Sequence, residues 1–331
     1  MESVPLKKQF QQLDPLGTLC FLPSIICLLL ALQWGGSTYT WNSARIIVLF
    51  ILFAVLLAAF IIIQFYKRDT ATVRPSIAAN RSVALGMLFS FCTGGAMITV
   101  IYFLPLWFQA ILSASAVSSG TRTLPLVLSL VFATIFSGSL INKFGWYNPF
   151  LLACTALMTI GAGLLTTLKV DSGAGAWIGF QLLFGLGLGM GVQQASLAAQ
   201  AALPKADVAI GVSLMLFTQS LGGAVMVCIG QTVFTNSLLK GLAGIPGINP
   251  LIILNAGATD LQSVVPHKLV GQVLQVYNHA LAMALIVAVA VAGLSIVPAV
   301  GMPWVNIKGL KEGGQAGLEK REKEGVPAAS Q

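Results

Sequence analysis

This sequence predicts an all-α integral membrane protein with about eight transmembrane helices, on three observations. Hydrophobic residues make up 56% of the 331 and charged residues only 8%, where a soluble domain carries about 25% charged residues. The apolar residues come in runs of the length, about 20 residues, that crosses a ~30 Å hydrocarbon core as a helix. The basic residues sit at the ends of those runs. The net charge of +8 therefore reads as membrane orientation and not as nucleic-acid binding, since no basic face is interleaved with aromatics.

Taken in order, the runs give spans at Leu16–Trp34, Ile46–Phe65, Val83–Phe103, Leu124–Ile141, Phe150–Leu168, Trp177–Ala198, Val208–Phe234 and Ala280–Val300. The first follows Lys7-Lys8 and could pass for a signal peptide. Its apolar run exceeds the ~7–15 residues of a signal core and no small-x-small cleavage site precedes Trp34, so it reads as an uncleaved span. Gly35 to Trp41 is a short turn with aromatics at headgroup level. A long loop at 236–278, rich in Gly, Pro and Asn, carries no helix-long apolar run and holds one amphipathic piece near Leu269–Val276. The tail alternates Lys and Glu between glycines from Lys308 onward and is expected to be disordered and cytosolic.

Eight spans place both termini on one side. One set of connecting segments holds Lys7, Lys8, Lys67, Arg68, Arg74, Arg81, Lys143, Lys205, Lys308, Lys311, Lys320, Arg321 and Lys323. The other holds only Arg45, Arg122, Lys169, Lys240 and Lys268. The larger set faces the cytosol by the positive-inside rule. The sequon Asn80-Arg81-Ser82 then lies on the cytosolic side, where it is not used. The five cysteines, Cys20, Cys27, Cys92, Cys154 and Cys228, all fall within apolar runs and form neither a disulfide framework nor a metal spacing.

The stretch from Gln181 to Gly223 is the one around which the other spans are expected to pack. On a helix, Gln181, Gly185, Gly189, Gln193, Ser196 and Gln200 share an arc of roughly 120°, with Gly187, Gly191, Gln194 and Ala198 opposite. Alternate glycines cost a soluble helix about 1 kcal/mol each, but in lipid they let backbones approach closely. The pattern implies two sides that are close-packed or face a cavity. Gly222-Gly223 repeats the theme in the next span.

Ionisable residues at membrane depth mark function, and none of the ten acids falls mid-span. Hydrolytic and redox catalysis therefore lack their parts, and the chain reads as no enzyme, with no cofactor and no metal. Uncharged polar residues within spans are more numerous: Thr93, Gln109, Gln181, Gln193, Gln194, Gln200 and Gln219. Each either bonds a neighbouring helix or faces a wet cavity, and a cavity lined by amides without fixed charge suits an amphipathic organic ligand better than an ion. Arg122, at the outer entrance of the fourth span, either snorkels to the interface or serves as a gating charge. In the turn Gly138 to Pro149, Gly138 is expected to allow close helix approach. Lys143 complements a helix C-terminus, and Gly145 permits the reversal.

The ordered stretches Leu13-Asp14-Pro-Leu-Gly17, Gln33-Trp34-Gly35-Gly36, Tyr102-Phe-Leu-Pro105-Leu-Trp-Phe-Gln109, Ser119-Gly120-Thr-Arg122-Thr-Leu-Pro125, Gly138…Lys143-Phe-Gly145-Trp-Tyr147, Gln193-Gln194…Gln200 and Phe217-Thr-Gln219-Ser-Leu-Gly222-Gly223 carry a family likeness. Together they resemble the major facilitator superfamily, in its fourteen-span drug:proton antiporter branch, and most of all fungal pumps that export toxins and secondary metabolites. The resemblance implies that the eight spans match helices seven to fourteen of that branch. Residues 1–12 would be a cytosolic segment, 13–82 two linker helices, 83–301 a six-helix C-terminal transporter domain, and 302–331 a cytosolic tail.

It further implies efflux of a small organic substrate by proton exchange at the plasma membrane, through a cavity lined by Gln109, Gln193, Gln194, Gln200 and Gln219, with Arg122 near its outer mouth. Gly138, Lys143, Gly145, Gly185, Gly189, Gly222 and Gly223 would serve packing and gating. The branch's first six helices, with its proton-coupling charges, have no counterpart here. Transport would then require a second copy or a separate N-terminal half, and the alternative is a transport-incompetent helical assembly.

Single-cysteine labelling at the two chain ends tests the topology: both ends are expected to react only after the cytosolic face is opened, and reaction of one end in intact cells would contradict it.

Overall fold

The computed structural model describes residues 14–36, 38–67, 75–257, 261, 265–306 and 308. The N-terminal segment, the tail beyond 308 and the segment 68–74 lie outside the described residues. Within them the chain is helical throughout: α1 (Pro15–Trp34), α2 (Ala44–Lys67), α3 (Pro75–Ala78), α4 (Arg81–Leu112), α5 (Ala116–Arg122), α6 (Leu124–Phe144), α7 (Asn148–Thr166), α8 (Ala174–Gly191), α9 (Gln194–Ala202), α10 (Val208–Ala243), α11 (Pro250–Ala256), α12 (Val270–Leu294) and α13 (Ile296–Gly301). Counting α5–α6, α8–α9 and α12–α13 as one span each, eight are long and apolar enough to cross a bilayer.

Helix ends follow local chemistry. Proline opens α1, α6, α7 and α11, where its missing N–H is not needed. Asn80 accepts from the Ser82 amide at 3.0 Å to cap α4. Gly145, at φ +82°, closes α6 with its N–H on the Ile141 carbonyl at 2.7 Å.

Several boundaries differ from the sequence expectation, each for an identifiable reason. α4 runs nine residues past Phe103, carrying Pro105 in its interior; a bundle tolerates such a proline where neighbours re-satisfy the backbone. α10 continues to Ala243, and α12 begins at Val270, so the outer loop expected at 236–278 is helical at both ends. The amphipathic piece near Leu269–Val276 is the first part of α12, its buried side marked by Val273 and Leu274. The sixth span is broken at Val192–Gln193. The start of the expected tail is also placed: Tyr147 Oη donates to the Pro303 carbonyl at 2.9 Å, Asn148 Nδ2 to the Met302 carbonyl at 3.1 Å, and Trp146 pairs with Asn306. These bonds hold 302–306 against the α6–α7 turn.

The last six spans pack in a crossed pattern. Taken in chain order they form two triplets: α4, α6, α7, and then α8–α9, α10, α12–α13. The leading helix of each triplet packs between the trailing two of the other, α4 against α10 and α12, α8 against α6 and α7. α12 also meets α7, and α9 meets α4 and α10, which joins the two groups. α1 and α2 form a hairpin whose α1 rests on α10. Ile46 and Gln64 alone are buried in α2, and its remaining face is an apolar surface suited to lipid.

Glycines set the closest crossings. A Cβ on Gly222 would overlap the Phe91 carbonyl oxygen of α4, and one on Gly94 would overlap the Gln219 carbonyl oxygen of α10. On α8, Gly185 and Gly189 face the Leu126 and Leu130 carbonyls of α6, while Gly187 and Gly191 face Met158 and Cys154 of α7. The two glycine sides of α8 thus serve two different neighbours. Gly138 does not act this way: among the described residues nothing lies within 4 Å of the position its Cβ would take, so the expected close approach is not seen there.

Gly222→Leu should lower stability by about 3 kcal/mol through overpacking, whereas Gly138→Leu should stay within about 0.5 kcal/mol of the parent. Thermal unfolding of the detergent-purified variants measures both, and equal midpoints would refute the packing assignment.

Candidate functional site

The polar residues singled out in the sequence fall at three places. Near the C-terminal end of α4, Gln109 Nε2 donates to Ser119 Oγ at 3.1 Å. Gln181, fully buried on α8, donates through Nε2 to the Arg122 backbone carbonyl at 3.1 Å. The Arg122 guanidinium lies 6.0 Å from the centroid of the Phe108 ring, within cation–π range. This corner joins α4, α5 and α8. Its buried Gln181 Oε1 has no hydrogen-bond partner among the described residues.

The second place is the break between α8 and α9. Gln193 and Gln200 are exposed, whereas Gln194 is 3% exposed and its Oε1 has no partner among the described residues. The arc drawn through Gln181, Gly185 and Gly189 holds along α8 and ends at this break. On that arc Gln181, Gly185 and Gly189 are buried, whereas Gln193, at the break, is exposed. The third place is the α4–α10 crossing, where half-buried Gln219 lies against Gly94. Lys143 sits at the end of α6 with its Nζ 5.7 Å from the Phe144 ring centroid.

Sequence reasoning missed two polar constructions. Trp107 Nε1 donates to Asn278 Oδ1 at 2.7 Å, and Asn278 Nδ2 donates to the Leu168 carbonyl at 2.9 Å. That chain ties α4 and α12 to the C-terminal end of α7. The signal is Asn278, two residues before the apolar run at Ala280, which the sequence reads as the end of a loop.

The second is where the N-terminal end of α1 meets the C-terminal end of α2. Asp14 is fully buried, with Lys67 Nζ at 2.8 Å from Oδ1, Gln64 Nε2 at 2.8 Å from Oδ2 and the Gly17 amide at 3.2 Å. A Cβ on Gly17 would overlap this carboxylate, which explains the pairing of Asp14 with Gly17 in the sequence. Burial alone pushes the Asp14 carboxyl upward. The Lys67 and Gly17 bonds, the Gln64 amide and the Lys67 charge outweigh it and hold the group below its ordinary value.

Eight membrane-length helices, six of them interleaved as crossed triplets, and a described interior without a mid-span carboxylate define a polytopic membrane protein with the architecture of a transporter. Comparison gives the family. The chain matches the Major Facilitator Superfamily across residues 15–227 and belongs to it. It is 49% identical over 306 residues to an MFS-type efflux pump of Trichophyton rubrum, covering 92% of this chain and 57% of that protein.

It is 48% identical over 308 residues to the rubrofusarin-specific efflux pump of Gibberella zeae, covering 93% and 57%. It is 46% identical over 297 residues to the acetylaranotin efflux transporter of Aspergillus terreus, covering 89% and 66%. The chain thus spans rather more than half the length of these curated relatives. Among solved structures, a bacterial homolog of the human lysosomal transporter Spinster, inward-facing and occupied, matches with a TM-score of 0.50 and 16% identity over 80% of this chain and 58% of that one. That likeness concerns the fold alone.

The depressed Asp14 carboxyl implies a stabilising contribution that is complete above its unfolded value, about pH 4, and is lost as pH falls through the lower folded value. Asp14→Asn should therefore lower the unfolding temperature clearly at pH 7, and the gap to the parent should close below about pH 4. A gap independent of pH would contradict the ion pair.

Proposed function

We propose that this chain supplies the eight-span portion of an efflux transporter for a small organic compound of the drug, toxin or secondary-metabolite class, coupled to proton exchange, and that it is not an enzyme. The observation that carries the reading is the similarity along 92% of the chain to relatives named as efflux pumps. The crossed triplets support it, because a bundle built from repeats can rock as a unit against a second bundle.

In this reading α1 and α2 are linker helices, the six later spans are the C-terminal transporter domain, and both termini lie in the cytosol at the plasma membrane. The substrate path runs along the faces that carry Gln109, Gln193, Gln194, Gln200 and Gln219, with Arg122 at its outer end. The orphaned Oε1 of Gln194 supports a ligand role there, since an unsatisfied buried acceptor costs about 1–3 kcal/mol and is kept where it serves another purpose.

The chain's coverage of its relatives favours a second reading. Rocking needs two halves, and the chain covers 57% of a relative's length. In that reading this portion moves substrate only alongside a second copy or an N-terminal half, and alone it is a membrane-embedded assembly.

Accumulation of a neutral aromatic dye in pump-deficient yeast separates these readings. Expression of the chain should lower dye accumulation, a protonophore should restore it, and Gln194→Leu should weaken export without lowering thermal stability. Unchanged accumulation, with the protein confirmed in the membrane, would overturn transport by this chain alone, and recovery on co-expression of a six-span N-terminal half would establish the second reading.

A further inference from the structure

One cavity lies away from every glutamine assigned to the substrate path. It occupies about 910 Å³ between the α1–α2 hairpin and the cytosolic ends of α3, α4 and α10. Its wall includes Phe21 of α1, Phe60 and Phe65 of α2, Met87 of α4, and Leu214 and Phe217 of α10. None of Gln109, Arg122, Gln193, Gln194, Gln200 and Gln219 lines it. On α10, Phe217 and Gln219 point to nearly opposite sides at 100° per residue, so the cleft and the α4–α10 crossing are separate faces of one helix.

We infer that this cleft is a binding site for a planar aromatic small molecule that enters from the cytosolic leaflet. Its volume lies within the 300–1,000 Å³ range of small-molecule sites. Four of its fifteen lining residues are phenylalanine, against 9% aromatic residues in the whole chain. The rings of Phe21 and Phe60 are 4.7 Å apart at 40°, and those of Phe21 and Phe217 are 5.3 Å apart at 59°. Three helices thus bring ring faces and edges together on one wall, an arrangement that gains from an aromatic guest beyond simple burial.

Phe65 and Ile61, at 62% and 46% exposure, form a rim that opens to the outside of the bundle. Polar groups are few: Gln64, held by Asp14 on the cytosolic side, Thr18 and Ser213. They orient a guest that carries one or two oxygen substituents. The hairpin and the bundle both contribute, so the ion pair of Asp14 with Lys67 also holds one wall of the site. The inference does not depend on transport, because binding is read directly.

The test is photolabelling of the full chain in phosphatidylcholine nanodiscs with an azidoanthracene probe, followed by peptide mapping. Saturable adducts are expected on the segments that carry Phe21, Phe60 to Phe65 and Phe217, suppressed by excess 9-anthracenemethanol. Ala209→Trp, at an exposed lining position, should fill the cleft and cut labelling at least about tenfold, while Phe217→Leu keeps an apolar wall and should cut it about threefold. If the tryptophan variant is not monodisperse, the leucine variant decides.

Adducts that do not saturate or that map elsewhere would overturn the site, as would unchanged labelling in the deciding variant. Suppression by methyl palmitate as strong as by the anthracene would identify an acyl-chain site and overturn the aromatic assignment.

Discussion

The close approach of backbone to backbone at glycine is the constraint on which this bundle depends. Within lipid, every peptide group must be satisfied inside its own helix, and no hydrophobic force then draws one finished helix to another. What remains is contact, and contact is greatest where no Cβ intervenes. Gly222 on the Phe91 carbonyl and Gly94 on the Gln219 carbonyl make one such crossing reciprocal. Gly185 and Gly189 on α6, with Gly187 and Gly191 on α7, turn a single helix into a two-sided spacer. Without them α8 could not sit between two partners at once, and the exchange of leading helices between the triplets would be lost.

Charge is handled by the opposite rule and is kept to the ends. Asp14 is the one acid among the described residues that is fully buried, and it is buried with Lys67, Gln64 and a backbone amide around it. Taking a carboxylate out of water costs several kcal/mol unless its partners restore what water supplied. The Lys67 ion pair and the donors of Gln64 and the Gly17 amide do so here, and they fasten the start of α1 to the end of α2, where the aromatic cleft also lies. At the other end the Trp107–Asn278–Leu168 chain plays the same part with neutral groups, so the bundle is tied at both faces and packed by small residues between.

Most of the fold was legible in the residues. The run lengths gave eight spans, and all eight exist, because twenty apolar residues in succession leave the chain few alternatives. Boundaries erred where packing extended a helix past its apolar run: the third run ends at Phe103, yet α4 continues through Pro105 to Leu112. Polar residues near Tyr277 read as a loop, yet they are α12, their amide spent on Trp107 and on the end of α7. The candidate site was less legible. The wheel grouped Gln193 with Gln181, yet Gln181 is buried and Gln193 is exposed, a difference that the period of one helix does not encode. The cleft was not legible at all, since Phe21, Phe60 and Phe217 meet only when three helices distant in sequence converge.

The sequence alone therefore determined composition-driven properties: the number of crossings, the side on which cations collect, the helices that can be approached closely, and the lack of a mid-span acid. Periodicity and hydropathy act over a single helix, and one chain contains all that is needed to read them. Tertiary structure decided which glycine meets which carbonyl, that Gly138 meets nothing, that 302–306 folds onto the α6–α7 turn, and that an aromatic hollow opens beside the hairpin. Each of these depends on how separate helices are arranged in space, and in a medium without hydrophobic drive that arrangement is fixed by the fit of whole surfaces, which no single segment encodes.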